Sequence, residues 1–196
     1  MKKMSVVPPF ADERESELPL FSLDGLLPVA QALSVNTDCL VISLVSTHAV
    51  GENPILLQRS LTELQMRLLL SLLESPHYCP HEVLYASLFC SCQGLFAGLF
   101  SPKRAAGEEW HAVVQEARLH LECAQAQGTW RKELKQIYNV LSELRAKLRP
   151  LGLGISVSTS GSAYALVSLP CIGAGSARSS TSPRSSGYIA KIPVNQ

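Results

Sequence analysis

Charge is scarce in this chain and neither sign dominates. Asp, Glu, Lys and Arg make up 17% of its 196 residues, below the roughly 25% typical of soluble proteins, and the formal net charge is +1. No global field draws it towards nucleic acid, so any such attraction must come from local clustering. Long apolar runs are also missing. Neither residues 40–45 nor 95–100 approach the ~20 apolar residues of a membrane span, and a soluble protein with no membrane partner is expected. Lys2 and Lys3 carry the charge of a signal peptide, but no apolar core precedes the acidic run Asp12–Glu17. With no secretory signal, the six cysteines (Cys39, Cys79, Cys90, Cys92, Cys123 and Cys171) are expected as reduced thiols in a cytoplasmic protein.

Enzyme signatures are absent as well. There is no P-loop, no G-x-G-x-x-G after a strand, no H-E-x-x-H and no G-x-S-x-G. The serine-rich stretch 156–162 is explained as a hairpin, so neither an enzyme nor a cofactor is expected. His77, His81, Cys79, Cys90 and Cys92 are zinc-binding residue types, but their spacing matches no familiar finger or ribbon. Small core cysteines account for them without metal.

What the chain has is leucine, within an ordinary apolar fraction of 46%, and this favours helices on a sizeable core. Residues 1–34 mix proline, acidic residues and short apolar pieces, which predicts a loosely ordered arm with a short helix near 26–33. Residues 39–45 and 55–59 are β-rich around the turn chemistry of Gly51-Glu-Asn-Pro54, predicting a small antiparallel sheet. Thr62 and Gln65 form a capping box ahead of the stripe Leu64, Leu68, Leu69 and Leu72. Pro80 opens a second helix running to about Cys90. Gly94, Gly98, Ser101 and Pro102 then mark a break, and a third helix over 105–127 presents Trp110, Val113, Val114, Ala117, Leu121 and Ala124 on one side.

The most informative stretch follows. Over 133–148, Leu134, Ile137, Leu141, Leu144 and Leu148 recur at three and four residues, so one helical face is buried. Lys135, Gln136, Asn139, Ser142 and Lys147 fall on the other flanks. Residues 155–158 and 164–168 alternate as hairpin strands around a Ser160-Gly161-Ser162 tip. A helix with an apolar seam, polar residues and a basic end, leading into a hairpin, is how winged-helix proteins address DNA. Residues 171–196 are rich in Ser, Gly and Pro, predicting a disordered tail.

The order sheet, capped helix, short helix, basic helix and hairpin resembles the DNA-binding domain of the OmpR/PhoB response-regulator class, over roughly 39–89 and 129–168. Leu61-Thr-Glu-Leu-Gln-Met-Arg-Leu-Leu69 is similar to the opening of that family's first helix, with Gln65 where an acidic residue is usual. Pro80-His-Glu-Val-Leu-Tyr-Ala-Ser-Leu-Phe89 is similar to its second helix, with Phe89 for the usual tryptophan. Leu144-Arg-Ala-Lys-Leu148 resembles the end of its recognition helix, and Gly161-Ser-Ala-Tyr164 the wing's Gly-x-Gly-Tyr. The resemblance implies an α+β fold: a winged helix-turn-helix with a small N-terminal antiparallel sheet, three core helices, an inserted helix and a C-terminal β-hairpin wing. It divides the chain into an arm (1–34), the domain (35–170, with an insert at about 91–128) and the tail (171–196). It further implies a bacterial transcription regulator without a receiver domain, binding double-stranded DNA, with RNA polymerase or a second copy of the chain as further partners.

On that reading Arg131, Lys132, Lys135, Arg145 and Lys147 anchor phosphates, whose release of counterions makes binding salt-dependent. Gln136 and Asn139 read adenine edges, and Thr159, Ser160 and Ser162 bring the wing to the groove. Three departures stand against it. Ser142 and Glu143 occupy positions where the family often has arginine, the wing tip lacks a basic residue, and the insert is several times the usual length. A glutamate can still accept a hydrogen bond from the cytosine amino group. The bland alternative for the cations is a solvated helix end favoured by the dipole. The Trp110–Ala124 stripe is expected to pack within the chain, the alternative being a partner or dimer surface through Trp110, Val114 and Leu121. A winged helix turned into a protein-interaction module is the competing function.

Overall fold

The computed structural model describes residues 19–47, 54–75, 77–100 and 104–169. Most of the expected arm (1–18) and the tail from 170 onward, with Cys171, lie outside them. Four strands, β1 (Leu20–Phe21), β2 (Gln31–Asn36), β3 (Val41–Ser46) and β4 (Ile55–Ser60), form an antiparallel sheet in chain order. The turn from β2 to β3 is made by Asn36, whose side-chain oxygen accepts the backbone N–H groups of Asp38 and Cys39 at 3.0 and 2.8 Å. Leu40 closes it in the left-handed region, at φ 54°.

The expectation of a loose arm and a short helix up to residue 34 is corrected by β2, which pairs with β3 along its whole length. Ala32, Leu33, Ser34 and Val35 are all buried. The strand therefore lacks the in–out alternation that marks a half-exposed strand in sequence.

Helix α1 (Glu63–Glu74) starts at the expected capping box: Gln65 N–H donates to Thr62 Oγ1 at 3.3 Å, and Thr62 N–H donates to Gln65 Oε1 at 3.0 Å. Its burial is wider than one stripe. Met66, Leu68, Leu69, Leu70 and Leu72 are all enclosed, because neighbouring helices and a hairpin strand pack around it. β5 (Cys79–Pro80) leads into α2 (His81–Ser87).

The insert holds two helices where one was expected. α3 (Cys92–Phe100) runs straight through Gly94 and Gly98, where a break was predicted. Ser91 Oγ caps it by accepting Gly94 N–H at 3.0 Å, and Cys92 and Leu95 are buried between α1 and α4 (Arg104–Ala126). Phe100 meets Phe21 of the first sheet edge-on at 5.1 Å. Tertiary packing supplies what two glycines withhold locally. α4 lies on α2 and α3.

The basic stretch is two helices as well. α5 (Trp130–Glu133) and α6 (Lys135–Leu148) meet at Leu134, which is fully buried. α6 buries Ile137, Val140, Leu141, Leu144 and Leu148 against α1 and the following hairpin. A 3-10 turn (Arg149–Leu151) ends at Gly152, whose φ of 77° suits glycine. β6 (Leu153–Val157) and β7 (Ala163–Ser168) form the expected hairpin, and β5 adds an unexpected third strand in the order β5-β7-β6. The chain is thus α+β, with two antiparallel sheets joined by helices through one apolar core. Among the described residues no helix is long and apolar enough to cross a membrane.

Candidate nucleic-acid interface

Because α6 buries one side completely, its other side presents Lys135, Gln136, Asn139, Ser142 and Glu143, all exposed. These positions follow the i, i+3, i+4, i+7 spacing of a single helical face. Arg131 and Lys132 are exposed on α5, just ahead of it. The five together with the two cations form one continuous polar strip of chain.

Three of the expected contact residues are engaged within the chain. Glu143 Oε2 accepts from Gln65 Nε2 at 2.9 Å. Lys147 Nζ donates to the Ser60 carbonyl at 2.7 Å, tying α6 to the end of β4. Arg145 Nε donates to the Ile155 carbonyl at 3.1 Å, and its guanidinium lies 5.9 Å from the Tyr164 ring centroid. These side chains hold α6 in place. Of the six cations clustered here, Arg131, Lys132, Lys135 and Arg149 are the exposed ones.

Thr159, Ser160 and Ser162 lie exposed in the β6–β7 turn. Hydroxyls run along it as a ladder: Ser158 Oγ to Ser160 Oγ at 3.1 Å, then Ser160 Oγ to Ser162 Oγ at 2.6 Å. Ala163 N–H donates to Ser158 Oγ at 3.1 Å, and Gly161 supplies the left-handed residue at φ 70°. The tip is polar, ordered by its own hydroxyls, and carries no charge.

Patterning alone missed what joins the hairpin to the helices. His81, at the start of α2, is buried, and its ring meets Trp130 of α5 at 5.5 Å, Tyr138 of α6 at 6.0 Å and Tyr164 of β7 at 5.5 Å, each close to edge-on. Its backbone N–H donates to the Ser162 carbonyl at 3.3 Å. Neither ring nitrogen has a hydrogen-bond partner among the described residues. Burial lowers the pKa of His81, with Glu82 opposing, so the ring is neutral at physiological pH. Burial also raises the phenols of Tyr138 and Tyr164, against the nearby cations Arg131 and Arg145 respectively. Three aromatics spaced far apart in sequence, at 130, 138 and 164, were the available signal.

The insert stripe is committed to packing. Leu121 is buried and Trp110 and Val114 are half-buried, with α4 against α2 and α3. Leu121 therefore offers no surface to a partner. Burial pushes the Cys79 thiol up to about 12 and raises those of Cys90 and Cys92, which keeps them protonated and unreactive at neutral pH. Among the described residues no three His, Cys, Asp or Glu side chains gather to hold a metal ion.

No family model, curated protein or solved structure matches the chain.

Proposed function

We propose that the protein is a sequence-specific double-stranded-DNA-binding transcription regulator built on a winged helix of the OmpR/PhoB type, acting in the cytoplasm. Reading falls to the exposed face of α6 and anchoring to the cations at its ends. The carrying observation is that one helix buries its entire apolar side while presenting Lys135, Gln136, Asn139 and Ser142 to solvent, next to a hairpin tied to it by a shared aromatic cluster. A helix with such a face suits the major groove, and the hairpin suits the flanking backbone. Gln136 and Asn139 supply carboxamides for adenine edges, and Arg131, Lys132, Lys135 and Arg149 supply phosphate contacts. The element order, with a strand before the second helix returning to the hairpin, also supports this reading.

The test is enrichment of fragments from the source genome by the purified chain, titrated across salt. The control is Arg131→Ala/Lys135→Ala, two exposed positions whose loss leaves the core untouched. Arg145 and Lys147 make poor controls, since removing them also breaks contacts that seat α6. Discrete fragments lost in the control support the regulator. No binding at low salt refutes it.

A second reading, a winged helix turned protein-interaction module, is favoured by the inward engagement of Glu143, Arg145 and Lys147. These contacts leave a helix face with little net positive charge.

A further inference from the structure

Outside the proposed DNA-reading set, α2 and α4 enclose a groove of about 460 Å³ lined by Tyr85, Phe89, Val113, Glu116, Ala117 and His120. Its volume lies in the range of small-molecule sites, and its walls combine aromatic surface with few polar groups, as such sites do. Phe89 is 69% exposed, a large apolar ring left in water at the groove's edge. Tyr85 meets Phe89, tilted at 5.1 Å, and stacks on His120 at 5.3 Å.

The charge bordering these rings is negative. Glu116 lines the groove with no ion-pair or hydrogen-bond partner among the described residues. Glu133 stands behind the stacked pair, one carboxylate oxygen lying 3.3 Å from both Tyr85 Oη and His120 Nε2. The nearby cation of α4, Arg118, is paired with Glu82 at 3.2 Å. Aromatic faces carry a negative quadrupole, so rings and carboxylates favour the same sign of guest. Among the described residues an anion would meet Glu116 without a free cation to offset it, and a neutral apolar guest would leave the carboxylate unused.

We propose that the α2–α4 groove is a binding site for an apolar organic cation, held against Tyr85 and Phe89 with its charge towards Glu116. The site does not rest on the DNA-binding reading. Ligands of this class are quaternary or aryl-substituted onium ions and hydrophobic amines. Glu116 and Phe89 determine its specificity: the carboxylate selects charge, and the ring covers the apolar body.

The test uses the full chain and two ions of the same shape and apolar surface but opposite charge, tetraphenylphosphonium and tetraphenylborate. Titration calorimetry supplies the affinities, and backbone amide shifts locate the site. The phosphonium is expected to bind at least about ten-fold more tightly than the borate, with shifts centred on Tyr85, Phe89, Val113 and Ala117. Glu116→Gln should weaken phosphonium binding about five-fold without weakening the borate, and Phe89→Ser about ten-fold. Both side chains are exposed, so both variants fold. Equal affinity for the two ions, shifts centred elsewhere, or an unchanged Glu116→Gln affinity would overturn the proposal. So would concentration-dependent dimerisation abolished by Phe89→Ser, which would assign the groove to a second copy of the chain.

Discussion

Replacing His81 by leucine should flatten the acid limb of the stability profile. The ring is enclosed by Trp130, Tyr138 and Tyr164 and has no hydrogen-bond partner for either nitrogen among the described residues. In the unfolded chain it titrates near its ordinary value of 6.5, whereas burial lowers its pKa in the folded state. Between those two values the unfolded state binds more protons, so stability is fully present above about pH 6.5 and is lost as the pH falls towards the folded pKa. While the folded ring stays neutral the loss follows a limiting slope of ~1.4 kcal/mol per pH unit. Leucine has no proton to bind and should show no such loss. At pH 7.5 the variant gains ~1–3 kcal/mol for each of two unmet polar atoms and gives up ~0.5–1.5 kcal/mol for each of three ring contacts, so the mid-range values leave a net gain of about 1 kcal/mol. Urea unfolding of both proteins from pH 7.5 to 5 measures this, and subtracting the profiles cancels every other titrating group. Parallel profiles would refute the buried neutral histidine.

Other consequences are quick to check. If all four exposed cations at the ends of α6 contact phosphates, the slope of log K against log salt is at most about −3.6 per bound chain; a much steeper slope would bring in residues beyond this face. Asn139→Ala should relax preference at one base position while leaving non-specific affinity intact, measured by selection from a randomised operator. Leu134→Ala, at the buried junction of α5 and α6, should cost about 2–5 kcal/mol in urea unfolding. Thr62→Ala removes half of the capping box and should cost about 1 kcal/mol, seen as a lower thermal midpoint. At pH 8 a thiol reagent should modify the exposed Cys39 and Cys123 rapidly and spare Cys79 until the chain unfolds.

The sequence was legible wherever one face of an element meets water. The α1 capping box, the seam of α6 and the alternation of β6 and β7 are of that kind, and so is the run of polar positions from Lys135 to Ser142. Three other elements carried no such signal. β2 carries four buried residues in succession, and α3 hides its helicity behind two glycines that α1 and α4 hold in place. β5 is a two-residue strand ending in proline, defined only by its pairing with Tyr164 and Ala163. Side-chain direction was also beyond pattern. Nothing in the spacing of Arg145 and Lys147 shows that they reach back to the Ile155 and Ser60 carbonyls. The aromatic cluster needed three distant segments to meet, a long-range fact that no local window contains.

The contact between Gln65 and Glu143 couples two distant positions of the sequence. Gln65 Nε2 donates to Glu143 Oε2 at 2.9 Å, so an amide of α1 answers a carboxylate of α6 across 78 residues of chain. Gln65 serves two masters, since its side-chain oxygen also closes the capping box on Thr62 N–H. Glutamate at 65 would keep the cap but set two carboxylates against each other. The start of one helix and the middle of another therefore share a single amide, and a change of charge at either end is felt at both.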